Sequence, residues 1–219
     1  MNAPQIISGR RERAKEDKRR RIMTAARELF ARHGVGGVTT QQIADEADIA
    51  IGTLFLYASS KAELLIMVQN QKFEAAIDEG LRAADDAASA AHSAVDTVVA
   101  LIEPVVACIR EQPENGRTYL HELLFGDPSE PNRRDGLVLS MRLEEGLVGA
   151  LTRGDAIASS DAQVMARVIT AIIHVTTTAT LFLERRPDEI LRLERVEHGD
   201  RRRARDGVRR IGATEATRG

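Results

Sequence analysis

The most reactive side chain types are few in this chain and lie far apart. Among its 219 residues are one cysteine, Cys108, and five histidines. No two histidines have the four-residue spacing that places two metal ligands on one face of a helix. The sequence has neither a glycine-rich phosphate loop nor a G-x-S-x-G nucleophile turn. We therefore expect no enzyme, no cofactor and no metal site. The histidines are His33, His92, His121, His174 and His198.

Residues 38–61 carry side chains suited to a different chemistry, the recognition of nucleic acid. The amide of Gln41 can pair with adenine, while Ile51 and the methyl group of Thr53 can contact thymine methyl groups. Lys61 lies at a predicted helix start, where unpaired backbone N–H groups attract an anion such as phosphate. These groups could act together only if the chain brought them to one surface.

The pattern of residues 38–61 predicts the elements that would do this. Two short helical patterns, at 40–47 and 51–57, are separated by three residues, 48–50. Such a pair is typical of a helix-turn-helix, whose second helix lies in the DNA major groove. The residues that can close a small core where the helices cross are Ile43, Ala47, Ile49 and Leu54.

Local signals mark where these helices begin. Thr39 stands three residues before Gln42, which predicts a reciprocal capping box, and Val38 is placed to act as the hydrophobic staple. Ser60 and Glu63 have the same spacing and predict a second capping box at the start of the next helix.

The outer face of the second helix lacks the charges of a solvated surface. Ile51, Thr53, Leu56 and Tyr57 point away from the small core. An apolar and aromatic outer face predicts a partner, and the geometry suits DNA.

These motifs together resemble a known family. The run T-T-x-x-I-A-x-x-A, followed by I-A-I-G-T-L-F-x-Y and S-K-x-x-L-L, resembles the DNA-binding domain of TetR-family transcriptional regulators, over about Lys18 to Leu65. The resemblance implies a dimeric regulator that binds a palindromic operator in double-stranded DNA. The residues predicted to contact DNA are Thr40, Gln41, Ala50, Ile51, Gly52, Thr53, Phe55, Tyr57 and Lys61.

The sequence departs from the family pattern at four positions. Asp48 stands where the turn usually has glycine, Phe55 replaces a tyrosine, Ala58 a phenylalanine and Ala50 a serine cap. Two hypotheses follow. The favoured one is a ligand-responsive dimeric repressor. The alternative is a helical binding or scaffold protein whose helix-turn-helix is degenerate and has no specific operator.

Charge is distributed unevenly along the chain. The net charge is −2, but residues 1–61 carry eleven Lys and Arg against seven Asp and Glu, whereas residues 62–197 carry thirteen against twenty-three. A basic end beside an acidic body is typical of a protein with a polyanion at one end only.

Composition and periodicity favour an all-α fold of about nine helices. We predict a flexible basic arm at 1–16, the helix-turn-helix domain at 17–65 with its first helix beginning near Lys18, a helical ligand-binding and dimerisation domain at 66–211, and a disordered tail at 212–219. A single cysteine and a charged N-terminus fit a cytoplasmic protein with no membrane partner.

The helix predicted at 162–185 is apolar on all sides, so it must be covered on all sides. We therefore place a homodimer interface here, joined by a helix from about Asp188 onward, and the resemblance implies the same. The interface residues predicted are Val164, Val168, Ile172 and Val175.

The resemblance also implies a small-molecule effector within the body, where it would push the helix that starts at Lys61. The low aromatic content of 3% favours an aliphatic or lipid-like ligand. The polar residues predicted for this pocket also have a structural interpretation. A buried threonine commonly bonds to the backbone of its own helix, and His174 could be a core histidine. The residues predicted to line the pocket are Phe73, Ile77, Val105, Tyr119, His121, Met141, His174 and Thr178.

Overall fold

The described part of the chain is helical throughout. The computed structural model describes residues 4–153 and 157–178, and no strand occurs within them. The helices are α1 (Pro4–His33), α2 (Thr40–Glu46), α3 (Ile51–Leu54), α4 (Lys61–Ser89), α5 (Ala94–Arg110), α6 (Pro113–Phe125), α7 (Pro131–Thr152) and α8 (Ser159–Thr178). The predicted all-α class is confirmed. The helix predicted from Asp188 and the tail at 212–219 lie outside the described residues.

Helix α1 is longer than the sequence analysis predicted. It begins at Pro4, about four turns before Lys18, so most of the arm predicted to be flexible at 1–16 is helical. Arginine, lysine and glutamate, which dominate this segment, are good helix formers, and proline is favourable at a helix start.

Two hydrophobic cores divide the molecule. The core of the N-terminal head joins α1 and the helix-turn-helix, with Ile22, Phe30, Ile43 and Leu54 all buried. A larger core in the body is formed by the five helices α4, α5, α6, α7 and α8. Helix α4 contributes to both, since Leu64 and Leu65 pack in the head and its later turns pack in the body.

Helices α4 and α5 cross closely at Gly80. A Cβ atom at this position would lie 2.1 Å from the carbonyl oxygen of Leu101, so only glycine permits the approach. This crossing fixes the position of the long helix α4 against α5 in the body.

Candidate nucleic-acid interface

The start of α2 is fixed by the capping box that the sequence predicted. The Thr39 hydroxyl accepts a hydrogen bond from the Gln42 backbone N–H at 3.2 Å, and the Thr39 backbone N–H donates to Oε1 of Gln42 at 2.8 Å. Val38 is buried beside them. Because both partners are local in sequence, the orientation of α2 is set largely by its own first turn.

The turn between α2 and α3 holds Asp48 in the left-handed region, with φ of 51°. Asp tolerates this region better than most residues, although glycine is the usual choice. Arg21 in α1 donates to both the carbonyl and the carboxylate of Asp48, each at 3.3 Å. This contact spans 27 positions, and no local signal in the sequence could have revealed it.

Helix α3 is a single turn, Ile51–Leu54, rather than the predicted 51–57, and Phe55 to Tyr57 continue as a turn. Its N-cap residue, Ala50, makes no side-chain capping bond. The buried side chain is Leu54, which anchors the helix in the head core. The short helix is therefore positioned mainly by packing.

The outer surface of the helix-turn-helix is open and largely uncharged. Gln41, Ala50 and Gly52 are exposed, and Ile51 and Thr53 are half-buried. A Cβ atom at Gly52 would meet nothing within 4 Å, so another backbone could approach closely there. The side chain of Gln41 donates one amide hydrogen to Asp45 at 2.7 Å, which leaves its oxygen and second N–H available for another partner.

Two apolar side chains extend this surface. Phe55 is 46% exposed and Leu56 is 82% exposed. Leu56 was noted as outward-facing from the sequence but was not included among the predicted DNA contacts. Its exposure adds it to the candidate surface.

The predicted phosphate-binding side chains are partly engaged within the protein. The Lys61 ammonium donates to the carbonyl of Val38 at 2.9 Å, and the Tyr57 hydroxyl donates to the carbonyl of Lys15 at 3.1 Å. Lysine has three N–H donors, so Lys61 keeps two for another partner. Thr40 is half-buried at the first position of α2.

The head is attached to the body at the start of α6. Asn115, which is buried, donates from its side chain to the carbonyl of Phe30 at 2.8 Å, and the carboxylate of Glu114 accepts from the backbone N–H of Gly36 at 2.8 Å. The acceptor lies in the last turn of α1 and the donor in the loop that follows it, so α6 holds the end of that helix.

A second attachment lies at the start of α7. Glu63 in α4 is only 2% exposed, and its Oε1 accepts from the backbone N–H of Asn132 at 2.8 Å. The Ser60 hydroxyl accepts from the Glu63 N–H as predicted, but the Glu63 side chain does not return the bond. The second capping box is thus only half formed, because the carboxylate is used between helices instead.

The attachment at α7 continues into the body core through a chain of partly buried polar groups. The Asn70 side chain donates to the carbonyl of Asn132 at 2.8 Å and accepts from the Tyr119 hydroxyl at 2.9 Å. Tyr119 in turn packs edge-on against Phe73, with ring centroids 5.7 Å apart. A contact in the body core is therefore connected to the first turns of α4.

The structure brings most of the predicted pocket residues together but excludes two. Phe73, Ile77, Val105 and Tyr119 are buried in the body core. Nε2 of His174 lies 3.2 Å from the Leu120 carbonyl, and burial lowers the pKa of this histidine, against the opposing effect of the carbonyl. The Thr178 side chain lies outside the described part of the chain.

Met141 and His121 do not face that core. Met141 is 61% exposed on α7, and His121 is exposed and stacks near Phe125. Helical periodicity shows that such residues share a helix but does not show which side is covered. Met141 instead lines an open groove of about 530 Å³, together with Glu144, Glu145, Val148, Gln163 and Arg167.

A smaller cavity of about 90 Å³ lies between the head and the body, next to Lys72 and Cys108. Burial raises the pKa of the Cys108 thiol to about 11, with Lys72 opposing this and Glu111 adding to it. The thiol is therefore protonated at neutral pH and is a poor nucleophile. Among the described residues, no cluster of His, Cys, Asp or Glu could hold a metal ion.

The predicted interface residues form one exposed stripe on α8. Val164, Val168, Ile172 and Val175 are between 39% and 62% exposed, whereas Ala166 and other residues on the opposite side of the helix are buried. No helix within residues 4–153 and 157–178 is long and apolar enough to cross a bilayer.

Comparison with known proteins agrees with the geometry of the head. Residues 22–68 match the family described as bacterial regulatory proteins, tetR family. The HTH-type transcriptional repressor KstR of Rhodococcus jostii is 36% identical over 61 residues, 28% of this chain and 29% of that protein. KstR of Mycobacterium tuberculosis is 35% identical over 60 residues, 27% of each chain. The match thus spans less than a third of these relatives.

Solved structures are similar over most of the chain. Thermus thermophilus FadR, a TetR-family repressor solved with lauroyl-CoA, gives a TM-score of 0.61 at 21% identity, over 80% of this chain and 89% of that one. Bacillus subtilis FadR, solved with stearoyl-CoA, gives 0.52 at 18% identity, over 79% and 95%. This likeness concerns the fold. The resemblance seen in the sequence is confirmed for this domain: residues 22–68 match the tetR family, and the fold of the described chain is similar to that of these repressors.

The attachment at Glu63 predicts a stability that depends on pH. Burial raises the pKa of this carboxyl; the bond from Asn132 opposes the rise, and the charges of Glu130 and Asp135 add to it. A carboxyl whose pKa is higher in the folded state stabilises the fold while protonated and loses that contribution as pH rises through the folded pKa. Ionised Glu63 is therefore a cost at neutral pH.

We expect Glu63→Gln to raise the Tm at pH 7 by about 2 °C, because it keeps an oxygen for the Asn132 N–H and removes the buried charge. The gain should shrink as pH falls towards 4.5, the usual pKa of a glutamate, because wild-type Glu63 then also becomes neutral. The exposed Glu74→Gln on the same helix is the charge-matched control. A lower Tm for Glu63→Gln at neutral pH would contradict this account.

Proposed function

We propose that the protein is a dimeric, DNA-binding transcriptional repressor that a small hydrophobic ligand releases from a palindromic operator. The observation that carries this proposal is the match of residues 22–68 to the tetR family, in a helix-turn-helix that is capped at Thr39 and exposes the uncharged residues Gln41, Ala50 and Gly52. The KstR relatives that match this domain are themselves repressors.

Base reading is assigned to the open face of the helix-turn-helix. The outward amide of Gln41 suits adenine, while Ile51 and the Thr53 methyl suit thymine. Exposed Ala50 and open Gly52 let the backbone approach the bases.

Phosphate contacts are assigned to the rim of that face. Lys61 keeps two N–H donors for an anion. Thr40 lies in the first turn of α2, where backbone N–H groups also attract phosphate. Phe55, and with it Leu56, supplies apolar contact only.

A second candidate, a helical scaffold protein with no specific operator, is favoured by one observation. Helix α3 is a single turn whose N-cap makes no side-chain bond. A mobility-shift assay on the DNA upstream of the protein's own gene separates the two candidates. Only the repressor forms a complex there that survives an excess of unrelated DNA.

We expect Ile51→Ala to weaken operator binding selectively. Loss of one base contact costs about 1–3 kcal/mol at one base pair in each half-site, while binding to random DNA, which rests on phosphates, stays the same. Competitive titration with operator and scrambled duplexes measures both. Val138→Ala, an apolar truncation at an exposed position of α7 outside the helix-turn-helix, serves as the control. Equal losses on the two duplexes would contradict the assignment of Ile51 to base reading.

The homodimer is placed on the apolar stripe of α8. Val164, Val168, Ile172 and Val175 follow one another at helical spacing on one face, so a partner could cover them together. A two-fold dimer through this face would set the two heads at a fixed separation. Two recognition helices can use one face of DNA only when they lie about 34–36 Å apart or at a multiple of that distance.

We expect Val168→Asp to convert a dimer into a monomer, because association would then bury an unpaired carboxylate. Sedimentation velocity measures the mass, and operator affinity should fall with it. Leu124→Asp places the same charge on an exposed apolar position of α6 and should stay dimeric. A monomeric wild type, or a dimeric Val168→Asp, would contradict this interface.

The effector site is placed in the body core beside Phe73, Ile77, Val105 and Tyr119. The core is mainly aliphatic, which suits an acyl chain, and the structurally similar FadR proteins were solved with acyl-CoA ligands. A ligand there would push on α4 directly and, through Tyr119 and Asn70, on the start of α7. To release DNA it must bind the DNA-free state more tightly.

We expect lauroyl-CoA to weaken the operator complex by about 5–150-fold, the usual range of coupling between two sites. Fluorescence anisotropy of labelled operator with increasing ligand measures the shift. Coenzyme A without the acyl chain is the control and should have no effect. Equal effects of the two compounds would argue against a hydrophobic site.

A further inference from the structure

Helix α1 extends well beyond the head core that it helps to build. Among the residues whose side chains are described, the first buried one is Ile22, and the helix begins at Pro4, about 27 Å earlier. Residues 11–20 of this extension are all exposed. Packing within the protein therefore does not explain why this segment is so rich in basic residues.

Basic residues form a stripe on one side of this extension. At about 100° per residue, Arg11, Lys15 and Lys18 fall within about 40° of Ile22 on the helical wheel. The acidic residues of the same segment fall about 80° or more away from Ile22. These acids are Glu12, Glu16 and Asp17.

The stripe therefore continues the side of α1 that packs against the helix-turn-helix. Basic residues on the other side of the helix point away from that surface or are already paired. Arg13 lies about 180° from Ile22. Arg20 forms an ion pair with Asp17 at 2.5 Å. Arg11, Lys15 and Lys18 lie towards the recognition surface and form no ion pair among the described residues.

Tyr57 fixes the stripe beside that surface. Its hydroxyl, just after α3, donates to the backbone carbonyl of Lys15 at 3.1 Å, across 42 positions of sequence. A phenol hydroxyl has one hydrogen to donate, and phosphate oxygens accept but do not donate. While Tyr57 holds Lys15, it cannot also donate to a phosphate.

We propose that Arg11, Lys15 and Lys18 form a second DNA-contact surface, which binds backbone phosphates flanking the groove occupied by α3, and that Tyr57 is a positioning residue for this stripe. The inference rests on the proposed DNA-binding function. It assigns to the first helix a share of the affinity that carries no sequence preference, since phosphate contacts position a protein without reading bases. It also replaces the direct phosphate contact predicted for Tyr57.

The test compares two double variants with the same change in charge, Arg11→Ala/Lys15→Ala and Arg13→Ala/Arg20→Ala. The affinity for operator DNA is measured over a range of salt concentrations. Each lost phosphate contact lowers the slope of log affinity against log salt by about 0.9. We expect the first variant to lose about two such units on operator and random DNA alike, and the second to keep the wild-type slope. The Tyr57 bond uses a backbone carbonyl, so Lys15→Ala leaves it intact.

Tyr57→Phe completes a double-mutant cycle. If Tyr57 acts through the stripe, Tyr57→Phe weakens DNA binding in the wild type but has little further effect in Arg11→Ala/Lys15→Ala. Additive losses would show that Tyr57 contacts DNA directly and would overturn its positioning role. Equal slopes for the two double variants would overturn the stripe while leaving the repressor function standing. A wild-type chain that binds no DNA would contradict the repressor function itself.

Discussion

Helix α4 is the constraint on which the rest of this molecule depends, because it is part of both hydrophobic cores. Its first turns, with Leu64 and Leu65, complete the head, and the turns around Phe73 and Ile77 complete the body. The close crossing at Gly80 ties the far end to α5. One rigid element therefore cannot tilt in the body without carrying the head with it.

The polar contacts between head and body restrain the same relative position of these two parts. At α6 the head is held by Asn115 and Glu114, and at α7 by Glu63. Both attachments use residues within the first turns of a body helix, so a small movement of either helix changes the bonds that join head and body. The body is thus joined to the head by three separate supports rather than by a flexible linker.

Local features of this fold could be predicted from sequence, and distant ones could not. The reciprocal bonds of Thr39 and Gln42 follow from a spacing of three residues, and the prediction was confirmed. The same spacing at Ser60 and Glu63 was misleading, because Asn132, 69 positions away, competes for the carboxylate. Met141 shows a related limit: periodicity places it on α7, but burial depends on which neighbours cover that side. The support of Asp48 by Arg21 was likewise invisible, since it joins two helices through a tertiary contact.

Gly52 has a consequence for how proteins of this kind diversify. Its Cα hydrogen faces open space at the front of α3, so a larger side chain there would meet no atom of the protein itself. Helical glycine is also the least favourable common residue apart from proline, so most replacements leave folding unharmed or improve it. Under the proposed DNA-binding function, mutations at position 52 are selected mainly for the DNA sequence they favour and little for the fold. Position 52 is therefore an evolvable point, where a duplicated copy of the gene can change its target while its protein remains intact.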